Sequence, residues 1–308
     1  MATKTWDGAV GSFDSGNWSP SPPTADDDAL IRSGLVTFND LTVFDVPLQL
    51  GGTNGQTPGV FMHDTVFGDG VTEPEPINGS ATASAVIDGY AYWLGRNQVG
   101  DSFTGRGELT VNITTGSFFF TTGDTYVDAG SRLTINSNGG LFAQYGNLHV
   151  VGGMAVLNSW TYGPGRLTLE SSRTQGDAQL ALKSGVSGGT TVDFGDTNVS
   201  KAVQIDFPQY FLGSVTNFDS VRDTLLLRTG SDHFAYDGAG RLDIFAGSNQ
   251  VASLEILGAN GSPPLGLPNF PATSDGTYTQ FTYRDAVPGN PGIGITTQVQ
   301  PGSLHNFA

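Results

Sequence analysis

The side chains best suited to acid–base chemistry in this sequence are concentrated in one stretch of ten residues. It contains an arginine, two aspartates, a histidine and a tyrosine: Arg228, Asp232, His233, Tyr236 and Asp237. Such groups transfer protons in polysaccharide lyases and hydrolases. The stretch is therefore the candidate catalytic site of a polysaccharide-active enzyme. The alternative interpretation is that its Ser-Asp and Tyr-Asp-Gly sequences form turns on either side of a strand.

One serine lies in a sequence typical of α/β-hydrolases. Ser187 is at the centre of Gly185-Val-Ser-Gly-Gly189, which matches G-x-S-x-G. A nucleophile elbow requires a strand, a sharp turn and then a helix. Because Ser187 is followed by a glycine-rich turn and another short strand, we expect a turn role. The N-T-D, G-H-G and W-x-D-H signatures of β-helical pectin hydrolases and lyases do not occur. We therefore predict a non-enzymatic protein without catalytic residues.

The candidates for a metal site are weak. The histidines have no metal-ligand spacing: His63, His149, His233 and His305. His149 occupies the outward position of Leu-His-Val and is predicted to be a solvated surface residue. The run Asp26-Asp27-Asp28 provides carboxylates, but Ca²⁺ needs six or more oxygens from converging segments. We expect this run to be a solvated turn, and we expect neither a metal nor a cofactor.

Composition and charge restrict the partners of the chain. Its 308 residues include 13 Lys or Arg and 29 Asp or Glu, which gives a net charge of −16. This charge argues against binding to nucleic acid or anionic membranes, since few cations could neutralise phosphate. Only 14% of the residues are charged and none is cysteine, a composition typical of extracellular repetitive β proteins. No apolar stretch predicts a membrane helix. The first ten residues do not resemble a signal peptide, so we expect export by a removed signal or by a route without one.

The elements that must position these residues are short strands. Runs of four to six β-forming residues recur between Gly, Asn, Asp and Ser. Several share the phrase Gly, one or two residues, then Leu-x-(Val/Ile/Leu), with leucines at Leu109, Leu133, Leu148, Leu167 and Leu242. A repeat of about 20 residues is in the range of one turn, or rung, of a β-solenoid. In this phrase both apolar side chains point to one face, and the glycine allows a corner with positive φ.

We therefore predict an all-β, right-handed parallel β-helix (β-solenoid) with loop insertions and an extended C-terminal tail. An antiparallel β-sandwich is the alternative, because it also consists of short alternating strands. Residues 1–50 are expected to form an N-terminal cap and the first rungs, and residues 105–285 the solenoid core. Residues 51–104 are loop-rich, either as an excursion or as irregular rungs. Residues 286–308 are the tail, and the four prolines of residues 260–275 exclude an inner strand.

Three aromatic residues lie among turn-forming residues near the N-terminus. They are Trp6, Phe13 and Trp18. Two roles fit them: stacking on carbohydrate, or covering the apolar end of the first coil. We expect the cap, because an uncovered first coil would expose its core to water.

Further aromatic residues lie in the middle of the chain. In Phe118-Phe119-Phe120 at least one ring must point outward, because side chains alternate along a strand. We predict that this ring is Phe119 and that it is covered by residues 51–104 or by another subunit. A second group is Phe207-Pro-Gln-Tyr210-Phe211.

Two stretches resemble the passengers of bacterial autotransporter-type adhesins. The first looks like their opening rung, in which W-x-G precedes N-W-S-x-x-x-P and a D-D-A-x-I strand: Trp6-Asp-Gly8, Asn17-Trp-Ser19 and Asp27-Asp-Ala-Leu-Ile31. The second is similar to their closing rungs: Val215-Thr-Asn-Phe218, Asp223-Thr-Leu-Leu-Leu227, Gly240-Arg-Leu-Asp-Ile244 and Val251-Ala-Ser-Leu254. The resemblance implies an extended parallel β-helix at the cell surface with an adhesive or scaffolding role.

We therefore expect a non-enzymatic extracellular or cell-surface protein of bacterial type, with a structural or adhesive role. Solenoid ends are open edges, so subunits are expected to associate end to end as filaments through the first ten residues or residues 293–299. Surface glycans are a further expected partner. The alternatives are a polysaccharide-active enzyme with its site at residues 228–237, and a phage tail or spike module. The sequence does not identify the residues that bind a ligand.

Overall fold

The structure is a computed structural model. It describes residues 3–6, 10–13, 17–23, 28–31, 34–38, 43–44, 48–50, 59–62, 65–67, 78–79, 82–93, 96–99, 107–170, 177–195, 201–219, 223–229, 233–237, 239–258, 272–274 and 279–281. These residues form 32 β-strands, and their one helical element is a 3-10 helix at Pro208–Tyr210.

The strands are two to eight residues long. In chain order they are β1 (Thr3–Trp6), β2 (Val10–Ser12), β3 (Trp18–Ser19), β4 (Asp28–Ile31), β5 (Leu35–Phe38), β6 (Val43–Phe44), β7 (Leu48–Leu50), β8 (Gly59–Met62), β9 (Thr65–Phe67), β10 (Asn78–Gly79), β11 (Thr82–Ile87), β12 (Tyr90–Trp93), β13 (Arg96–Val99), β14 (Glu108–Ile113), β15 (Phe118–Thr121), β16 (Asp124–Val127), β17 (Arg132–Ser137), β18 (Leu141–Gln144), β19 (Asn147–Val151), β20 (Met154–Asn158), β21 (Thr161–Tyr162), β22 (Arg166–Glu170), β23 (Ala178–Leu182), β24 (Thr191–Asp193), β25 (Lys201–Ile205), β26 (Ser214–Thr216), β27 (Thr224–Leu227), β28 (His233–Tyr236), β29 (Arg241–Ala246), β30 (Asn249–Ile256), β31 (Ala272–Ser274) and β32 (Thr279–Phe281).

The described strands form four sheets that run along the molecule. Sheet A has the order β10-β7-β4-β1-β3, and sheet B the order β2-β5-β8-β11-β14-β17-β20-β23-β25-β27-β32-β31. Sheet C is β21-β18-β15-β12-β9-β6, and sheet D is β13-β16-β19-β22-β24-β26-β30-β29-β28. Successive rungs visit the sheets in a fixed order: β13, β14 and β15 lie in sheets D, B and C, and β16, β17 and β18 repeat that order.

The pairing of the strands confirms the predicted parallel β-solenoid. Sheet B is parallel from β2 through β27. Antiparallel pairs among the described strands are confined to the two ends. They are β1 with β3 at the N-terminal end, and β27 with β32, β31 with β32, β28 with β29 and β29 with β30 at the C-terminal end. The alternative of a β-sandwich is therefore wrong, since parallel stacking of this kind joins strands from successive coils.

The leucine repeat is distributed over two sheets. Leu109 pairs with Leu133 in sheet B, 24 residues later. Leu148 pairs with Leu167 in sheet D, 19 residues later. The interval of 15 residues between Leu133 and Leu148 joins two sides of the same rung, which is why the spacing in the sequence is irregular. Leu242 lies in the antiparallel strand β29 and not in a parallel rung.

The core is a stack of inward side chains. In β14, Leu109, Val111 and Ile113 are buried and the residues between them are not. Leu109 and Val111 pair in register with Leu133 and Ile135 of β17, and Ile113 pairs with Ile87 of β11, so columns of apolar side chains continue between rungs. Full burial of one such side chain contributes about 1.5–3 kcal/mol. The core therefore follows the whole described length of the solenoid.

The glycines of the repeat have two different roles. Gly130 has φ of 71°, as predicted for a corner. Gly146 is not among the residues with positive φ, so for this glycine the predicted reason is wrong. A Cβ at Gly146 would lie 1.9 Å from the carbonyl oxygen of Gly123 in the preceding rung. Close backbone stacking, and not the sign of φ, therefore requires glycine there.

The described residues within 51–104 belong to the solenoid. Strands β8, β9, β11 and β12 pair in parallel within sheets B and C. Of the two interpretations of this region, the described residues favour irregular rungs. Of the proline-rich region the structure describes residues 272–274, which form β31 at the antiparallel edge of sheet B. The tail at 286–308, with its 293–299 segment, lies outside the described residues.

The three aromatic residues predicted to form the N-terminal cap pack together inside the first rungs. Trp6, Phe13 and Trp18 are buried. Trp18 packs edge-on against Trp6 at a ring-centroid distance of 5.4 Å and against Phe13 at 5.0 Å. Its indole N–H donates to the Phe13 carbonyl at 2.6 Å. Since β3 pairs antiparallel with β1, Trp18 closes the first edge of sheet A.

Candidate functional site

Two residues of the predicted catalytic cluster have structural partners. Arg228 follows β27, and its Nη1 lies 3.8 Å from Oδ2 of Asp206. Asp237 follows β28, and its Oδ1 accepts hydrogen bonds from the backbone N–H groups of Arg241 and Ala239 at 2.9 and 2.7 Å. These hydrogen bonds, the one from Arg241 first, lower the pKa of Asp237. Asp237 therefore has the turn-forming role of the alternative interpretation.

The rest of that cluster is not described. Asp232 lies outside the described residues, and so do the side chains of His233 and Tyr236, whose backbone forms β28.

Ser187 lies in a turn, as predicted. Its hydroxyl donates to the Gly163 carbonyl at 3.3 Å, and its backbone N–H donates to the Thr161 carbonyl at 2.9 Å. The next element is β24, which begins at Thr191. Ser187 thus joins two rungs, in a setting without the helix of a nucleophile elbow.

His149 lies on the outward face of sheet D, but the prediction that it is solvated is wrong. Its side chain is 18% exposed, and its Nδ1 lies 2.6 Å from Oε1 of Glu170. Its ring stacks on Tyr126 at a centroid distance of 4.5 Å. The reason is the register of the rungs, which places Tyr126 and Thr168 on either side of His149.

The described residues contain no group of three His, Asp or Glu side chains placed to hold a metal ion. Asp28 begins β4, and its side chain, like Asp26 and Asp27, lies outside the described part of the chain. No helix long and apolar enough to cross a membrane occurs among the described residues.

The outward side of sheet C carries aromatic side chains in register. Tyr90 stacks on Phe118, and Tyr92 stacks on Phe120, each at a centroid distance of 5.0 Å. The ring planes of the two pairs are inclined by 6° and 12°. Because rungs are parallel and in register, each ring lies directly against the ring of the next rung. Stacked rings of this kind hold each other in place.

The same register corrects the prediction for Phe119. It is 0% exposed and points inward, where its ring packs against Trp93 at 4.7 Å and Phe142 at 5.6 Å. Phe118 and Phe120 are the outward rings. In a run of three aromatic residues, neighbouring side chains must face opposite sides of the strand. Without a polar residue in the run, the sequence does not indicate which of them face outward.

The outward aromatic side continues beyond β15, and we call all of it the aromatic face. Tyr145, Trp160, Tyr162 and Tyr210 extend it, with Trp160 stacked on Tyr162 at 5.9 Å and tilted against Tyr210 at 5.9 Å. Its members are Tyr90, Tyr92, Phe118, Phe120, Tyr145, Trp160, Tyr162 and Tyr210. Exposed fractions of 48% for Tyr90, 54% for Tyr145, 40% for Tyr162 and 51% for Tyr210 show that solvent reaches it along its length.

The rung of β18 interrupts this face. Phe118 pairs with Leu141 and Phe120 with Ala143, so smaller side chains replace the rings. A cleft of about 410 Å³ opens there. Its lining consists of Gly116, Ser117, Phe118, Ser137, Gly139, Gly140, Leu141, Asn158, Ser159, Trp160, Tyr162 and Ser184. The cleft thus has aromatic walls and a hydroxyl- and amide-bearing side.

Glycines border the cleft. Gly139 and Gly140 form the corner before β18, where a Cβ at Gly140 would lie 2.4 Å from Cγ2 of Ile113 and 2.5 Å from the Thr114 carbonyl oxygen. The indole ring of Trp160 packs directly on the backbone of Gly185, where a Cβ would lie 2.6 Å from the ring. The indole therefore packs on a bare stretch of backbone and reaches Tyr210 beyond it.

A ladder of asparagines leads to the polar side of the cleft. Asn136 donates its amide N–H to Oδ1 of Asn112 at 3.0 Å, and Asn158 donates to Oδ1 of Asn136 at 2.7 Å. The three residues are in register on β14, β17 and β20. The amide nitrogen of Asn158 donates one hydrogen bond in the ladder, so its second N–H and its carboxamide oxygen are the groups that it can offer to a ligand.

Comparison with protein-family models, curated proteins and solved structures found no match for this chain. The resemblance to autotransporter-type passengers therefore stays a prediction. The aromatic group at 118–120 was predictable from the sequence, but its neighbours on this face, Tyr90, Tyr92, Trp160 and Tyr162, were not. The available signal was the recurrence of aromatic residues about one rung apart, which becomes visible only when the unequal lengths of the rungs are known.

Proposed function

We propose that this chain is a non-enzymatic adhesive β-solenoid of the bacterial cell surface or extracellular space, and that the aromatic face is its contact surface. The observation that carries the proposal is the exposure of Tyr90, Tyr145, Tyr162 and Tyr210 on one side of the solenoid. Contiguous exposed rings are costly in water, and on a soluble protein such a patch marks an interaction site.

Rigidity supports an adhesive role for these rings. Tyr90, Tyr92, Phe118 and Phe120 form a two-by-two array, since Phe118 also lies 6.1 Å from Phe120. Side chains that are already held in place lose little conformational freedom when a partner binds. Aromatic residues are also the residues that dominate the energy of contact surfaces.

The other outward faces differ in chemistry. The outward side of sheet B carries the asparagine ladder, and the outward side of sheet D carries paired charges, including Arg166 with Asp193 at 3.0 Å. These groups pair with one another across the rungs. Of the described outward faces, the aromatic face is therefore the one whose burial against a partner would be most favourable.

The composition and the resemblance to adhesin passengers support an extracellular bacterial location. The turn role of Asp237 supports a protein without a catalytic acid at that residue.

Binding to surfaces tests the proposal. Labelled protein should bind to bacterial or host cell surfaces and to immobilised polysaccharides without releasing reducing ends. The variant Tyr90→Ser/Tyr145→Ser, which changes two exposed rings, should weaken binding at least tenfold at an unchanged melting temperature. The control is Thr110→Ala on the outward side of sheet B, which should bind like the wild type. Release of reducing ends, or full binding by the double variant, would refute the proposal.

A further inference from the structure

We infer that the cleft at the β18 rung is a binding site for one pyranose ring of a neutral glycan, held between Phe118 and Trp160. The inference rests on the proposed adhesive function and specifies its ligand. It depends on three independent properties of the cleft: the separation of its walls, the groups on its polar side and its lack of charge.

The separation of the walls suits a sugar ring. Phe118 pairs with Leu141, and the register Phe142–Thr161 places Trp160 one strand beyond Leu141. Neighbouring strands are about 4.8 Å apart, so two strand spacings separate the walls by about 9.6 Å. A ring placed midway would lie about 4.8 Å from each wall. That distance is close to the 5.0 Å between the stacked rings of Tyr90 and Phe118.

Leu141 leaves room for such a ring. It stands at the position where Tyr90 and Phe118 carry rings in the two preceding rungs. The cleft volume of about 410 Å³ is at the lower end of the range of about 300–1,000 Å³ for small-molecule sites. A pyranose presents C–H groups on its faces, which pack on the electron-rich faces of aromatic rings.

The polar side of the cleft suits the hydroxyl groups at the edge of a sugar. Asn158 and Ser184 line it. Asn158 is held by its hydrogen bond to Asn136 and offers its carboxamide oxygen as an acceptor. Ser184 adds a hydroxyl, which both donates and accepts. A few placed polar groups beside apolar walls are typical of sites that orient a small ligand.

The absence of charged side chains from the cleft lining argues against an acidic ligand. None of the lining residues is Asp, Glu, Lys, Arg or His. A uronate or sulfated sugar would therefore bring a charge into a cleft without a cationic partner, on a chain with a net charge of −16. The chemistry favours uncharged hexoses or pentoses.

Tryptophan fluorescence provides a direct measurement of binding. The chain has four tryptophans, and Trp6, Trp18 and Trp93 are buried at 0%, 4% and 1% exposure. Trp160 in the cleft is therefore the one that a ligand can shield from iodide. Titration with cellohexaose, xylohexaose, mannohexaose and laminarihexaose should reduce iodide quenching for at least one of them. Polygalacturonate should have no such effect.

Two variants test the cleft by calorimetric titration with the best neutral oligosaccharide. Trp160→Ala removes one wall, and Leu141→Trp fills the cleft while it extends the column of rings. Both should weaken binding at least tenfold. Leu141→Trp should retain the wild-type melting temperature, which keeps the test valid if Trp160→Ala folds poorly. Thr110→Ala, on the outward side of sheet B and outside the lining of the cleft, is the control and should bind like the wild type.

The outcomes separate this inference from the proposed function. Wild-type affinity in both cleft variants, or binding of polygalacturonate alone, would overturn the inference. If no neutral oligosaccharide binds while surface adhesion still depends on Tyr90 and Tyr145, the inference fails and the adhesive function stands. If the cleft binds sugar but adhesion does not depend on the aromatic face, the proposed function fails and the cleft remains a sugar site.

Discussion

Lys201 and Asp223 form an ion pair inside the solenoid, with Nζ of Lys201 3.7 Å from Oδ1 of Asp223. Both side chains are buried, at 2% and 0% exposure. Lys201 also donates to the carbonyl oxygen of Phe194, and Oδ2 of Asp223 accepts the backbone N–H of Asp219 at 2.8 Å. Burial nevertheless raises the pKa of Asp223 from 3.8 to about 7, because it removes solvation from the charged carboxylate.

This pair predicts a pH-dependent stability. Between pH 3.8 and about 7 the folded chain holds a proton on Asp223 that the unfolded chain has released. The contribution of Asp223 is therefore fully present below pH 3.8 and is lost as the pH rises through about 7. The steepest slope for one proton is about 1.4 kcal/mol per pH unit. Urea unfolding from pH 4 to 8 should show this decline in the wild type.

The variant Asp223→Asn isolates that effect, since a carboxamide does not titrate in this range. Subtracting its stability curve from that of the wild type removes the contributions of all other groups. The difference should fall between pH 4 and 7 and be flat above. Parallel curves for the two proteins would show that the pKa of Asp223 is not raised.

The inward pattern of the core was predictable from the sequence, but contacts between rungs were not. Leu109 and Leu133 could be assigned to the core because apolar residues alternate with polar ones in each strand. Lys201 and Asp223 meet only because β25 lies against β27 across a loop. The rungs differ in length, so no fixed period in the sequence aligns these two residues. The same reason hid the relation of Trp160 to Phe118.

The aromatic cap should be a large source of stability. Trp18 is 4% exposed and packs against Trp6 and Phe13, so Trp18→Ala should cost about 3–5 kcal/mol in the free energy of unfolding. Trp18→Phe keeps a ring but loses the hydrogen bond to the Phe13 carbonyl, and should cost clearly less. Tyr145→Ala, at an exposed ring, is the control with an expected change within about 0.5 kcal/mol. Equal losses for Trp18→Ala and Tyr145→Ala would contradict the cap.

Close stacking of backbones predicts a difference between two glycines. A Cβ at Gly146 would lie 1.9 Å from the carbonyl oxygen of Gly123, which cannot move without shifting the strand. Gly146→Ala should therefore lower the free energy of unfolding by about 1–3 kcal/mol or more. At Gly188 the nearest atom to a Cβ is 3.3 Å away, and Gly188→Ala should cost less than about 1 kcal/mol. Chemical denaturation of both variants measures the contrast, and a reversed order would show that the rungs are spaced differently.

The open edge of sheet B predicts where end-to-end association would begin. At the N-terminal end, β3 covers sheet A, whereas β2 has only β5 as a partner among the described strands. Val10 in β2 is 76% exposed, so replacing it should change folding stability by less than about 0.5 kcal/mol. A lysine on an edge strand opposes pairing with another chain. Val10→Lys should therefore shorten or abolish filaments in electron micrographs and lower the sedimentation coefficient at high protein concentration. Val10→Thr keeps the β-propensity without adding charge, and it should assemble like the wild type. Assembly of Val10→Lys at the wild-type level, or a wild type that stays monomeric at every concentration, would exclude association through β2.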